Sequence, residues 1–376
     1  APLASLFLSV AVNIFWVGGL WGFLRAVGCS EQKILQAVIL IALVGAVFVN
    51  SVYTWPKMLA AALALTAGTA LLAADCSKNL RALIFGSAAA FSLLAHGAAI
   101  FALMGLATIF WTRRNDWRFQ ELATVAVIAA LIYFPWSAYQ KFYDPPGDRL
   151  IKWHLAGVIA LDEKHSALAT IVDEYIKSGV VGFVVNRVHN LRMLIGDATD
   201  WNGECANGYA QPGWNNSLAG QLRQFFSLRL GPAPMLLLLG VPLIFFRRVR
   251  TMSWFKPLVS TLTTTLLAFL VIEFGSNPSS AAWLTHAPYT ALILWCGLCA
   301  LAITSLGDRW FYIFLSLHLT AFVALWVHGV EMWSAGEPPA YPGNPNATAR
   351  LIAILSFVVL TALVVKLKQP VHKTGE

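Results

Sequence analysis

In a chain of 376 residues, 58% are hydrophobic and only 12% are charged, against about 25% charged in a typical soluble domain. No soluble core of this size absorbs that much apolar surface, which excludes a soluble globular enzyme. The formal net charge of +8 lies in short basic clusters between apolar runs, the positive-inside pattern, and this excludes a nucleic-acid groove.

Apolar runs recur near 3–24, 34–50, 57–74, 82–95, 98–111, 120–137, 231–246, 257–274, 289–305, 310–328 and 349–366. A crossing takes about 20 residues, so the pattern predicts an all-α, polytopic membrane helical bundle of about eleven spans. It divides into an N-terminal membrane bundle over 1–137 (about six spans), an external loop domain over 138–230 and a C-terminal bundle over 231–376 (about five spans). The basic loops Arg113, Arg114, Arg118 and Arg247, Arg248, Arg250, Lys256 belong in the cytoplasm. Counting outward puts the N-terminus, 138–230, 275–288 and 329–348 outside, and the tail with Lys366, Lys368 and Lys373 inside.

Two stretches refine this topology. Runs 82–95 and 98–111 would each give ~21 Å of helix against ~30 Å of hydrocarbon. Lys78 and Arg81 before them, and Arg113 and Arg114 after them, call for the same side. The pair is therefore expected to form a hairpin whose turn, Ala95-His96-Gly97, lies sunken below the outer surface. The chain also begins Ala-Pro-Leu with no methionine or signal peptide, so a fragment lacking an upstream span and external loop is expected. Residues 155–195 have helical periodicity, with Val158, Leu161, Leu168, Ile171 and Ile176 apolar, and predict amphipathic helices lying on the membrane. Residues 196–217, rich in Gly, Asn and Asp, predict a loop.

The densest chemistry lies in YQKFYDPPGDRLIKWHLA, Tyr139 to Ala156. Pro145, Pro146 and Gly147 force a turn, after which Asp148 can cap a helix carrying Arg149, Lys152 and His154 in its first turns. Arg149 and Lys152 are three apart and should share a face. Cations beside a helix N-terminus at the water–lipid boundary suit a phosphate. The other reading is an interfacial collar, with Tyr139, Lys141 and Tyr143 anchoring and the bases snorkelling to headgroups. Trp55-Pro56-Lys57 falls on the same side, as an anchor or as a ligand for anionic lipid. His96, in its sunken turn, is expected to line a cavity.

Other sites find little support. Cys296 and Cys299 form a CxxC inside an apolar run and read as small hydrophobes. His286, His318, His328, Glu331 and Glu337 show no metal-binding spacing, so no metal is assigned and no cofactor is named. Glu273 is expected to face water near the end of its span. The chain contains neither a phosphate-binding GxxxxGK[ST] loop nor a GxSxG elbow.

The phrases FPWSAYQKFYDPPGDRLIKWHLAG, TWPKMLAAALAL and AFSLLAHG resemble bacterial members of the GT-C class of integral-membrane glycosyltransferases, which includes protein mannosyltransferases and lipid A aminoarabinose transferase. The resemblance implies transfer of a sugar from a polyprenyl-phosphate donor to an acceptor on the outer face of a bacterial inner membrane. It implies donor-phosphate binding by Lys57, Arg149, Lys152 and His154, in a cavity lined by Trp55, His96, Tyr139, Lys141 and Tyr143. The family's general base would lie upstream of Ala1, with Asp144 and Asp148 as substitutes within the chain. The partners implied are the polyprenyl-linked sugar and membrane lipid. The competing expectation is a non-catalytic transporter or lipid-handling protein, although no inverted repeat is visible.

Overall fold

The computed structural model describes residues 2–52, 55–73, 76–143, 147–158, 164–195, 237–274 and 288–329. All regular structure among them is helical. Lipid offers the backbone no hydrogen-bond partner, and a helix satisfies its own N–H and C=O groups.

The first predicted run divides at Ile14-Phe15 into α1 (Pro2–Asn13) and α2 (Trp16–Ala26). The second divides at Leu43-Val44 into α3 (Glu31–Ala42) and α4 (Gly45–Val52). Next come α5 (Lys57–Leu72), α6 (Lys78–Ala95), α7 (Ala99–Arg113), α8 (Phe119–Phe142), α9 (Arg149–Ala156) and α10 (Ala167–Ile195). After two single turns at Val241–Ile244 and Arg247–Arg250, the chain forms α11 (Phe255–Ile272), α12 (Tyr289–Thr304) and α13 (Asp308–Gly329). The stretch Phe7–Ala26, α8 and α11 are each long and apolar enough to cross a membrane, while α5 and α12 are apolar but shorter. The runs near 196–217 and 349–366 lie outside the described residues.

The break expected around His96 is present, since α6 ends at Ala95 and α7 begins at Ala99. Helix α6 starts at Lys78, four residues before its apolar run, and its 18 residues extend ~27 Å. Arg81, read as a loop base, is buried instead. Its Nη2 donates to Glu121 Oε2 at 2.9 Å and to the Asp116 carbonyl at 2.6 Å, and its guanidinium lies over the Trp117 ring. This ion pair fastens α6 to α8. Elsewhere α8 is poorly covered, and Glu121 is its only buried residue. It continues as helix to Phe142, beyond the expected boundary at 137–138.

Helix α12 is the centre of the bundle, with every residue except Trp295 buried. Cys296 and Cys299 are free, buried thiols there, as small core hydrophobes would be. Helices α7 and α11 approach closely at Gly105. A Cβ at that position would clash with Thr265 Oγ1 and lie 2.8 Å from the Thr261 carbonyl oxygen. Phe101 packs edge-on against Phe269, so the two helices run antiparallel, Gly105 opposite Thr265 and Phe101 opposite Phe269. Helices α5 and α7 run parallel, with Ala60, Ala61, Ala98 and Ala99 around one cleft and Gly68 beside Leu106. These registers bring the starts of α5, α7 and α12 to the same end of the bundle as the close of α11.

Candidate functional site

A small, partly open cleft at that end, with room for about one water molecule, is lined by Lys57, Ala60, Ala61, His96, Ala98, Ala99, Pro288, Tyr289 and Thr290. Three helices begin here, α5 at Lys57, α7 at Ala99 and α12 at Tyr289. Each presents the positive end of its dipole, while the Lys57, Ala60, Ala99, Ile100, Phe101 and Ala291 amides already donate to carbonyls just before them and the Leu59 amide to Asn13.

Lys57 is 4% exposed, and its Nζ donates to the Tyr289 hydroxyl at 3.2 Å. The same ammonium lies 4.7 Å from the ring centroids of Tyr289 and of Trp55. Aromatic faces and a phenol oxygen soften the burial of a cation without neutralising it. The head of α5 is fixed by Asn13, whose Nδ2 donates to the Trp55 carbonyl at 3.1 Å and whose Oδ1 accepts from the Leu59 amide at 3.2 Å. His96 follows the last residue of α6, and its Nδ1 accepts from the Ala98 amide at 3.3 Å, which sets the ring at the start of α7.

The α9 residues form a second cluster. Glu273 directly follows α11, so the antiparallel register puts it level with Gly97. Expected to face water, Glu273 is instead fully buried. His154 Nδ1 stands 2.8 Å and 3.1 Å from its two carboxylate oxygens, and the Phe274 amide donates to the His154 carbonyl at 2.7 Å. Helix α10 closes the cluster. Asn190 Nδ2 donates to the Glu273 carbonyl at 2.7 Å, and Arg187 donates to the Val271 carbonyl through Nε and Nη2. These side chains cap the C-terminal end of α11, where the last carbonyls have no intrahelical donor. Arg187 Nη2 also meets the Tyr175 hydroxyl at 2.7 Å, although the two are twelve residues apart. That meeting requires the break in α10 at Gly179, whose φ of +59° and ψ of −173° suit a residue without Cβ.

The structure therefore sorts the expected site residues into groups. Lys57 and His96 share the cleft, and Trp55 covers the Lys57 ammonium. His154 is held by Glu273. Lys152 is buried, donating to the His165 carbonyl at 2.6 Å and pairing with Asp148 at 3.2 Å. Asp148 stands at the N-cap of α9 but makes no side-chain cap, because that carboxylate faces Lys152. Arg149 is exposed, so the two cations do not present one common face. Lys152 points under α9 toward its own chain, where Asp148 and a carbonyl offset its charge. Tyr139, Lys141 and Tyr143 are exposed and do not line the cleft; Trp136, Tyr139 and Tyr143 stack in a ladder along α8. Asp144 lies outside the described residues.

Glu273, Tyr289, Arg187 and Asn190 were missed from the sequence. The available signal was a carboxylate at the end of an apolar run, a position that needs a partner if the protein covers it.

No protein-family profile, curated protein or solved structure matches the chain.

Proposed function

We propose that this chain belongs to a membrane glycosyltransferase that moves a sugar from a polyprenyl-phosphate donor to an acceptor on the outer face of a bacterial inner membrane. The observation that carries the reading is a buried ammonium, Lys57, among the first turns of three helices, with His96 across the same cleft. Such a setting favours an oxyanion over any neutral ligand. The phrase resemblance to GT-C enzymes supplies the chemistry. The acceptor oxygen attacks the anomeric carbon, the bond from that carbon to the phosphate oxygen breaks, and the lipid phosphate leaves with the electron pair. Lys57 and the helix termini offset the charge that gathers on the leaving phosphate. The acceptor proton passes to a carboxylate base. Asp148 is an unsuitable base because Lys152 holds it.

In this reading the chain makes about eleven crossings. Segment 138–230 lies outside, and the basic loops around Arg113 and Arg248 lie in the cytoplasm. The two clusters then stand on the outer side, the donor phosphate at Lys57 and the acceptor approaching past α9. Arg149, exposed on α9, is placed to attract the donor lipid rather than to grip it.

Lys57→Met keeps the length of the side chain and removes the charge. In membranes containing the protein, this variant is expected to lose about tenfold or more in affinity for polyprenyl phosphate, the scale of one charge-assisted hydrogen bond. Sugar transfer should fall with it. Unchanged phosphate-lipid affinity would reject the site. Retained affinity for the lipid in a wild-type protein that transfers no sugar from any polyprenyl donor would favour the lipid-handling alternative.

A further inference from the structure

In the second half of α10, residues 180–191 have their polarity inside out. Asn186 and Asn190 are buried, and Arg187 reaches inward to cap α11. Val180, Val181, Val184, Val185, Val188 and Leu191 face outward, with Val180 81% and Val181 77% exposed. At 100° per residue these six fall on one arc of the helix, while Phe183, Asn186, Asn190 and Leu194 fall on the opposite one. A helix bathed in water shows the reverse order. Outward apolar and inward polar side chains are the arrangement of a helix whose surrounding solvent is hydrocarbon.

Its height is set by its anchors. Arg187 and Asn190 hold the carbonyls of Val271 and Glu273, at the end of a helix long and apolar enough to cross a membrane. On α11 itself, Leu267 and Val271 are likewise exposed apolar side chains. We infer that residues 180–191 bed their valine face in the acyl boundary of the bilayer, where α11 leaves it. The partner is membrane lipid, and this stretch is a shallow membrane-embedded helix rather than part of a water-exposed loop domain. The inference does not depend on sugar transfer.

The test uses the protein in phospholipid nanodiscs. Its native cysteines are replaced, and a spin label is placed at Val184 or Val188, with Leu267 and Lys164 as apolar and aqueous references. Power saturation should show both α10 labels several-fold more accessible to oxygen than to a water-soluble nickel chelate, as at Leu267 and opposite to Lys164. Preferential access by the chelate would overturn the inference. Shielding from both reagents would also overturn it, since a second copy or another segment would then cover the face. Photolabelling of the unsubstituted protein with a diazirine phospholipid provides an independent reading. Adducts within 180–191 are expected, and labelling of α11 without them would count against lipid contact.

Discussion

Lys57 and Glu273 are both buried ionisable side chains, held by different means. Lys57 relies on a phenol oxygen and two aromatic faces, whereas Glu273 has an ionisable partner in His154. Removing one member of a buried pair strands the other, which typically costs about 3 kcal/mol. His154→Ala and Glu273→Ala are each expected to lower the thermal unfolding midpoint in detergent, while the double variant should lose clearly less than the sum of the two. Additive losses would mean that the contact carries no coupling. Lys57 and His96 were legible as candidates because a polar residue beside an apolar run stands out. The partnership of His154 with Glu273 was not, because the two lie 119 residues apart and only the meeting of α9 with the close of α11 joins them.

Helices were readable where apolar runs were long, as for α8 and α11. Their breaks were less so. The run 34–50 is continuous in hydropathy, yet α3 and α4 separate at Leu43-Val44, where Gly45 just beyond is the one cue and a lone glycine in an apolar run is a weak one. The start of α6 at Lys78 was missed for a different reason, since Arg81 finds Glu121 and Trp117 and can therefore be carried inside the bundle. Close helix approach belongs to this level too. Gly105→Ala should drive α7 and α11 apart and cost about 1–3 kcal/mol, the range for overpacking. Thr265→Ala in the same chain should restore part of the loss, read as the unfolding midpoint. Equal midpoints for wild type and Gly105→Ala would show that the helices separate freely there.

Across the molecule, helix directions and charge give one orientation. The α5–α7 and α7–α11 registers collect Lys57, His96, Glu273 and Tyr289 at one end, and Arg113 closes α7 at the other. The proposed orientation gives a direct expectation in intact cells. A cysteine at Lys164 should react with a membrane-impermeant maleimide, and one at Arg248 should react only after the membrane is opened. The reverse pattern would invert the topology and move the Lys57 cleft to the cytoplasmic side. In 155–195 the sequence pointed to amphipathic helices lying on the membrane, but the break at Gly179 and the inward partners of Arg187 and Asn190 were not legible, because both depend on the meeting with α11. Asn13 has a bearing on how such a molecule can change. Through its two bonds a side chain on α1 fixes the backbone on both sides of Lys57, more than forty positions later. Both bonds go to main-chain atoms, so the mooring rests on one side chain alone. A chimera that exchanges α5 keeps it, whereas one that brings in an α1 without Asn13 keeps Lys57 but releases the backbone that holds it.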